Sequence, residues 1–318
     1  LPSHPQFSGK PGNLVLETQA DLDLFADLAK AGASNGADLG GQLGHVGAMD
    51  YPPISTPKGP SALNIPGLSC AEMTFAEIEA VPSEFARTAV LAQKAGFGGV
   101  QIHAAHGFLL SQFLSPLFNQ RQDAYGGPLE NRMRLPLDSI RAVRAAVGPL
   151  FPVVVKLNAT DQIEGGFQQE EALLVVERLS GAGVDLVDIS GGTYFPGAKA
   201  ASDSSGRGPY FLDFAAKARQ VTDVPLMLTG GFKTMDQASN AIETGVVDFV
   251  GLARARAIHP NLPALWASWR QKSPEFPKFA APPEGGITAW YTMRLTQIGE
   301  GNVPSSTIAL SEAIEQYE

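Results

Sequence analysis

The chain has 318 residues, 44% of them hydrophobic and 17% charged, enough apolar material for a large core and a composition that excludes wholesale disorder. A formal charge of −9 argues against a general nucleic-acid binder, which would carry a basic face. Cys70 is the single cysteine, so no internal disulfide forms, and no run approaches the ~20 apolar residues of a membrane span, which together predict a cytoplasmic protein that contacts no membrane.

The opening stretch "LPSHPQFSGKPG" lacks the charged and apolar regions of a secretory signal. Leu14 to Leu16 is too short to count as a strand. The runs that read as strands are "ADLGGQL" (37–43), "GGVQIH" (98–103), "FPVVVKL" (151–157), "VDLVDIS" (184–190), "VPLMLTG" (224–230) and "VDFVGLA" (247–253). Several are apolar almost throughout, the pattern of parallel strands buried on both faces.

Amphipathic stretches lie between them. "TFAE" (74–77) and "TMDQ" (234–237) fit the capping box, a hydroxyl at the helix start with Glu or Gln three residues on. "AGFGG", "GAGVD" and "ETGVVD" put glycine just ahead of a strand, where a left-handed helix stop belongs. The alternation predicts a parallel α/β fold with functional groups at the C-terminal strand ends. Six strands are recognisable, two short of an eight-stranded barrel, and on pattern alone a doubly wound open sheet competes with the barrel.

The strand ends carry the chemistry. In order they offer Gln42 and His45, then His103 and His106, then Lys156 and Asn158, then "SGGTY" (190–194), "TGGF" (229–232) and "GLAR" (251–254). Two imidazoles three residues apart, just past a strand, can both donate to one oxygen and stabilise charge developing on it. Lys156 at a buried strand end needs an anionic or carbonyl partner, such as the polar edge of a flavin or a substrate carboxylate. Glycine pairs beside Arg254 bring backbone amides and a cation to a phosphate. Plainer readings exist for each group. The histidines can be structural hydrogen bonders, or two ligands of a metal with His45 as the third, although no Asp or Glu stands nearby to complete a zinc centre. The glycine pairs can be tight turns, and Lys156 can be a solvated residue.

At this point the sequence resembles the old yellow enzyme family of FMN-dependent ene-reductases. The stretch "GFGGVQIHAAHGFLLSQFLSPLFNQRQDAYGGPLENRMRL" (96–135) is similar to the family's most diagnostic segment, and "PVVVKLNATD", "ISGGTY", "LTGGF" and "VDFVGLARA" follow in family order. "GQLGHVG" resembles the third-strand motif, with Ala48 where an arginine is common. The resemblance implies a TIM-type (β/α)8 barrel, here incomplete, as one FMN oxidoreductase-like domain over residues 1–318. It implies that Gln42 contacts the flavin pyrimidine, that Lys156 lies near its N1 and O2 edge, and that Gly230, Gly231, Ala253 and Arg254 bind the phosphate, with Gly192 also in the cofactor set. His103 and His106 would hold the oxygen of an α,β-unsaturated carbonyl substrate. NAD(P)H would reduce FMN, which then delivers hydride to the β-carbon.

Two departures from the family pattern matter. The family usually has tyrosine two residues after the second histidine, as proton donor to the α-carbon, and here the residue is Phe108. A phenyl ring donates nothing, so net reduction either slows or gives way to isomerisation. The family's first two barrel strands also lie upstream of the segment resembling "LPSHPQFSGKPGNLVLE". The expectation is either a missing N-terminal piece or a naturally shortened barrel whose open edge is covered in a homodimer. The alternative function is a non-redox isomerase or cyclase on a truncated barrel that no longer uses flavin.

Overall fold

The computed structural model describes residues 14–17, 22–52, 55–198, 208–269, 273–279, 282–283, 285–301 and 308–317. The opening "LPSHPQFSGKPG" lies outside them, and residues 14–17 form no strand. Nine strands follow in chain order: β1 (Gly40–Leu43), β2 (Lys58–Gly59), β3 (Leu63–Ile65), β4 (Leu68–Glu72), β5 (Gly99–Ala104), β6 (Val153–Asn158), β7 (Leu186–Ser190), β8 (Leu226–Thr229) and β9 (Phe249–Gly251).

Six of them, β1 and β5 to β9, make one sheet, with every neighbouring pair parallel. All six coincide with the runs read from the sequence, each starting one to three residues later. Their order in the sheet is their order in the chain. A doubly wound sheet reverses direction at a switch point. This one never reverses, so it is the curled wall of a β/α barrel, incomplete over the described residues.

Helices connect successive strands and bury the sheet's outer face. Helix Phe75–Lys94 begins at the capping box of Thr74 and Glu77, and helix Met235–Glu243 at that of Thr234 and Gln237. The glycine stops hold too: Gly96, Gly183 and Gly245 all sit at positive φ, between 72° and 86°. Helices Phe75–Lys94 and Arg134–Val147 pack on each other, and the main core runs through Ile78, Ile102, Ile140, Val155, Val176, Val187 and Leu228. β5 and β6 have nearly every residue buried, the reason their sequences lack alternation.

The second sheet, β2, β4 and β3, is not apparent in the sequence. Its strands have two, five and three residues, too short for a period to show. It packs with Ala48 and Phe118 in a small separate cluster.

Candidate active site

Parallel register brings the strand-end groups into line. His103 on β5 stands opposite Lys156 on β6, and Lys156 opposite Asp188 on β7. Lys156 and Asp188 are only 9% and 1% exposed and form an ion pair. Lys156 is therefore not a solvated residue, and the anionic partner that its burial demands is a carboxylate of the protein itself. Asp188 also accepts from Gln101 Nε2 at 2.9 Å and from Thr229 Oγ1 at 2.7 Å. Gln42 joins by donating from Nε2 to Gln101 Oε1 at 2.6 Å. One polar chain thus links β1, β5, β6, β7 and β8. Asp188 at its hub was passed over in the sequence because it sits mid-run in "VDLVDIS", where an inward carboxylate has no local signature.

His103 and His106 come together. Their ring centroids are 5.1 Å apart and the planes are nearly perpendicular, at 82°. Burial is the main force holding both imidazoles neutral, lowering His103 well below the ordinary 6.5 and His106 to about 4, with Lys156 adding repulsion of a further positive charge. The Ala105 amide donates to His103 Nδ1 at 3.3 Å. The proton of that neutral ring is therefore on Nε2, a donor. Nε2 of His106 lies 2.8 Å from Ser190 Oγ. A ligand oxygen held by both rings has to take Nε2 from Ser190 or use Nδ1.

The backbone of His106 is unusual, with φ of 61°. A non-glycine residue there persists only where its surroundings hold it. They do so through Asn158 Oδ1, which accepts its amide at 3.1 Å, and the Tyr194 amide, which donates to its carbonyl at 3.2 Å. A bridge pairs His106 with Thr193, and a β-carbon at Gly107 would collide with the Thr193 hydroxyl. The "SGGTY" loop therefore locks the second histidine in place.

Phe108 packs against this cluster. Its ring meets His103 edge-on at 4.9 Å and Tyr194 at 5.9 Å. Tyr194, exposed at the rim, carries the hydroxyl that Phe108 lacks.

His45 does not join the pair. Its Nδ1 accepts the Gly47 amide at 3.0 Å, and burial lowers its imidazole to about 3. It lines a cavity of about 560 Å³ with Asp50, Lys58, Glu77 and Glu84. Among the described residues no three His, Cys, Asp or Glu side chains gather as a metal site, so the reading of His45 as a third ligand has no geometric support.

The remaining predicted residues follow the sheet round. Gly192 is buried at φ 90° after β7. Gly230 and Gly231 follow β8 at φ 116° and 85°, and a β-carbon at Gly231 would strike the Gly208 carbonyl. Ala253 caps helix Arg254–Ile258, whose first residue is Arg254. Tyr210, not singled out in the sequence, packs its ring on both glycines. Glycine backbone amides and an arginine at a helix start are groups that suit a phosphate, while amide, ammonium and imidazole donors suit the polar edge of a flavin ring. The residues fit FMN.

This arrangement is that of an incomplete β/α barrel with its polar groups gathered at the C-terminal strand ends. The sequence profile of the NADH:flavin oxidoreductase / NADH oxidase family matches residues 2–272, and the chain belongs to that family. It is 38% identical over 246 residues to "NADH-dependent flavin oxidoreductase iliE" of Neonectria sp. (strain DH2), covering 72% of this chain and 32% of that protein. It is 32% identical over 273 residues to the "NADH oxidase" of Thermoanaerobacter brockii, covering 84% of this chain and 42% of that protein. The chain spans less than half the length of both curated relatives. Among solved structures, the old yellow enzyme homologue from Zymomonas mobilis matches with a TM-score of 0.73 at 25% identity, covering 88% of this chain and 81% of that one. The family resemblance is borne out. Among the described residues no helix is long and apolar enough to cross a membrane.

Proposed function

We propose that this protein is an FMN-dependent oxidoreductase of the ene-reductase type, acting on the activated C=C bond of a small α,β-unsaturated carbonyl compound. The observation that carries the reading is the His103–His106 pair at the end of β5, edge-to-face and neutral, with His103 buried and His106 half-buried. FMN, when bound, supplies the hydride chemistry that no side chain can. Gln42, Lys156, Gly192, Gly230, Gly231, Ala253 and Arg254 would hold it. His103 offers its Nε2 proton to the substrate carbonyl, and His106 adds a second donor. Neutral donors polarise that oxygen without surrendering their protons in the ground state, which is what an electrophilic β-carbon needs. Phe108 contributes an apolar wall and no proton.

The visible spectrum of the purified protein tests this reading. Bound FMN absorbs near ~450 nm. A yellow protein bleached by NADPH and re-oxidised by an enone is the expected result. A colourless protein that stays colourless with added FMN would overturn it and favour the second reading, a non-redox isomerase or cyclase using the same two imidazoles. Phe108 is the observation on that second side, since it removes the usual proton source for reduction.

A further inference from the structure

The family match ends at residue 272, and the chain continues into helices Gly286–Gly299 and Leu310–Tyr317. These two pack together around Trp290, Ile308 and Ala313, a core of their own, with the Trp290 indole donating to the Ile308 carbonyl at 2.9 Å. Helix Gly286–Gly299 also lies against helix Arg254–Ile258. There Tyr291 turns its ring to Arg254, whose guanidinium carbon is 5.9 Å from the ring centre. That separation is within the roughly 6 Å reach of a cation–π contact.

Arg254 differs in this from four arginines that tie the barrel's elements together. Arg121, Arg132, Arg144 and Arg219 each pair with a carboxylate. Among the described residues no carboxylate forms an ion pair with Arg254. The distinction has chemical content. A carboxylate would neutralise the guanidinium and occupy its N–H donors. An aromatic face attracts the cation through its quadrupole and leaves both the charge and the edge donors for an anion.

We infer that Tyr291 is a positioning residue for the cofactor phosphate: its face holds the Arg254 guanidinium in place while leaving its charge available to an anion. The inference rests on the reading that Arg254 grips the phosphate of FMN. It assigns the C-terminal helix pair a part in flavin retention.

The test compares FMN with riboflavin, which lacks the phosphate, by flavin fluorescence titration of the full-length, flavin-free protein. The wild type is expected to prefer FMN. Tyr291→Leu should weaken FMN binding by about 2- to 30-fold, the range of a cation–π contact, with riboflavin unchanged. Tyr291→Phe, which keeps the aromatic face, should bind FMN as the wild type does. Unchanged riboflavin affinity shows that the ring pocket is intact, so a loss confined to FMN is not a folding defect. Arg254→Gln separates the two levels of the argument. If it leaves the FMN preference intact, the phosphate reading falls and the inference with it. If Arg254→Gln abolishes the preference while Tyr291→Leu preserves it, Tyr291 alone is acquitted of the role. Loss of riboflavin binding in Tyr291→Leu, or loss of FMN binding in Tyr291→Phe, would likewise overturn it.

Discussion

Phe108 and Tyr194 face each other across the rim of the histidine pair, one without a hydroxyl and one with it. The first lies 4.9 Å from the His103 ring, and its own ring is 5.9 Å from that of Tyr194. Under the proposed function, a hydroxyl at position 108 restores a proton donor beside the substrate. Phe108→Tyr should therefore raise formation of saturated product relative to isomerised product, by on the order of 100-fold if proton delivery limits the outcome. Product analysis by gas chromatography decides it, and identical rates and products would remove Phe108 from the explanation. The imidazoles make a separate prediction. Because burial depresses His106 to about 4 from 6.5, the folded state resists the proton that the unfolded chain accepts. The stability this group contributes is complete above pH 6.5 and is lost as pH falls through about 4. NMR should find the His103 and His106 ring signals still neutral at about pH 5. Titration of either near 6.5 would contradict the buried geometry.

At the scale of the element, one device appears twice at the opposite, N-terminal end of the strands. Asp185, just ahead of β7, accepts the Val153 amide at 2.8 Å and pairs with Arg144 of helix Arg134–Val147. Asp248, just ahead of β9, accepts the Leu226 amide at 2.7 Å and pairs with Arg219. Each aspartate ties the start of one strand to its neighbour and to a helix, fixing the register on which the alignment of His103, Lys156 and Asp188 depends. Asp185→Ala leaves the Val153 amide without its acceptor and should cost about 1–3 kcal/mol, read as a lower urea midpoint. An unchanged midpoint would mean that water replaces the carboxylate at no cost. The capping boxes were legible because their partners are three residues apart. The aspartate clamps were not, since Asp185 and Arg144 are 41 residues apart and nothing local joins them.

Across the whole molecule, the described sheet has two open edges, β1 and β9. Gln42 on β1 is exposed, and Phe249 on β9 is 52% exposed. Unpaired edges carry backbone donors and acceptors that seek a strand. We expect this chain to self-associate through an edge, as in the homodimer anticipated from the sequence, and light scattering that finds a clean monomer across concentrations would refute it.

The six parallel strands, two helix starts and the roster of strand-end groups could be read from the chain alone, because each is written in hydrophobic runs or in residues a few positions apart. The family resemblance in the sequence was also what proposed one site for two imidazoles, a lysine and a glycine–arginine corner. Only the tertiary structure decided what each group touches. Asp188 meets Lys156 from a strand 32 residues away, Ser190 meets His106 across 84, and Tyr291 reaches Arg254 from beyond the family match. Such pairings come from parallel register and helix docking, which act through space, whereas a linear pattern records only neighbours along the chain.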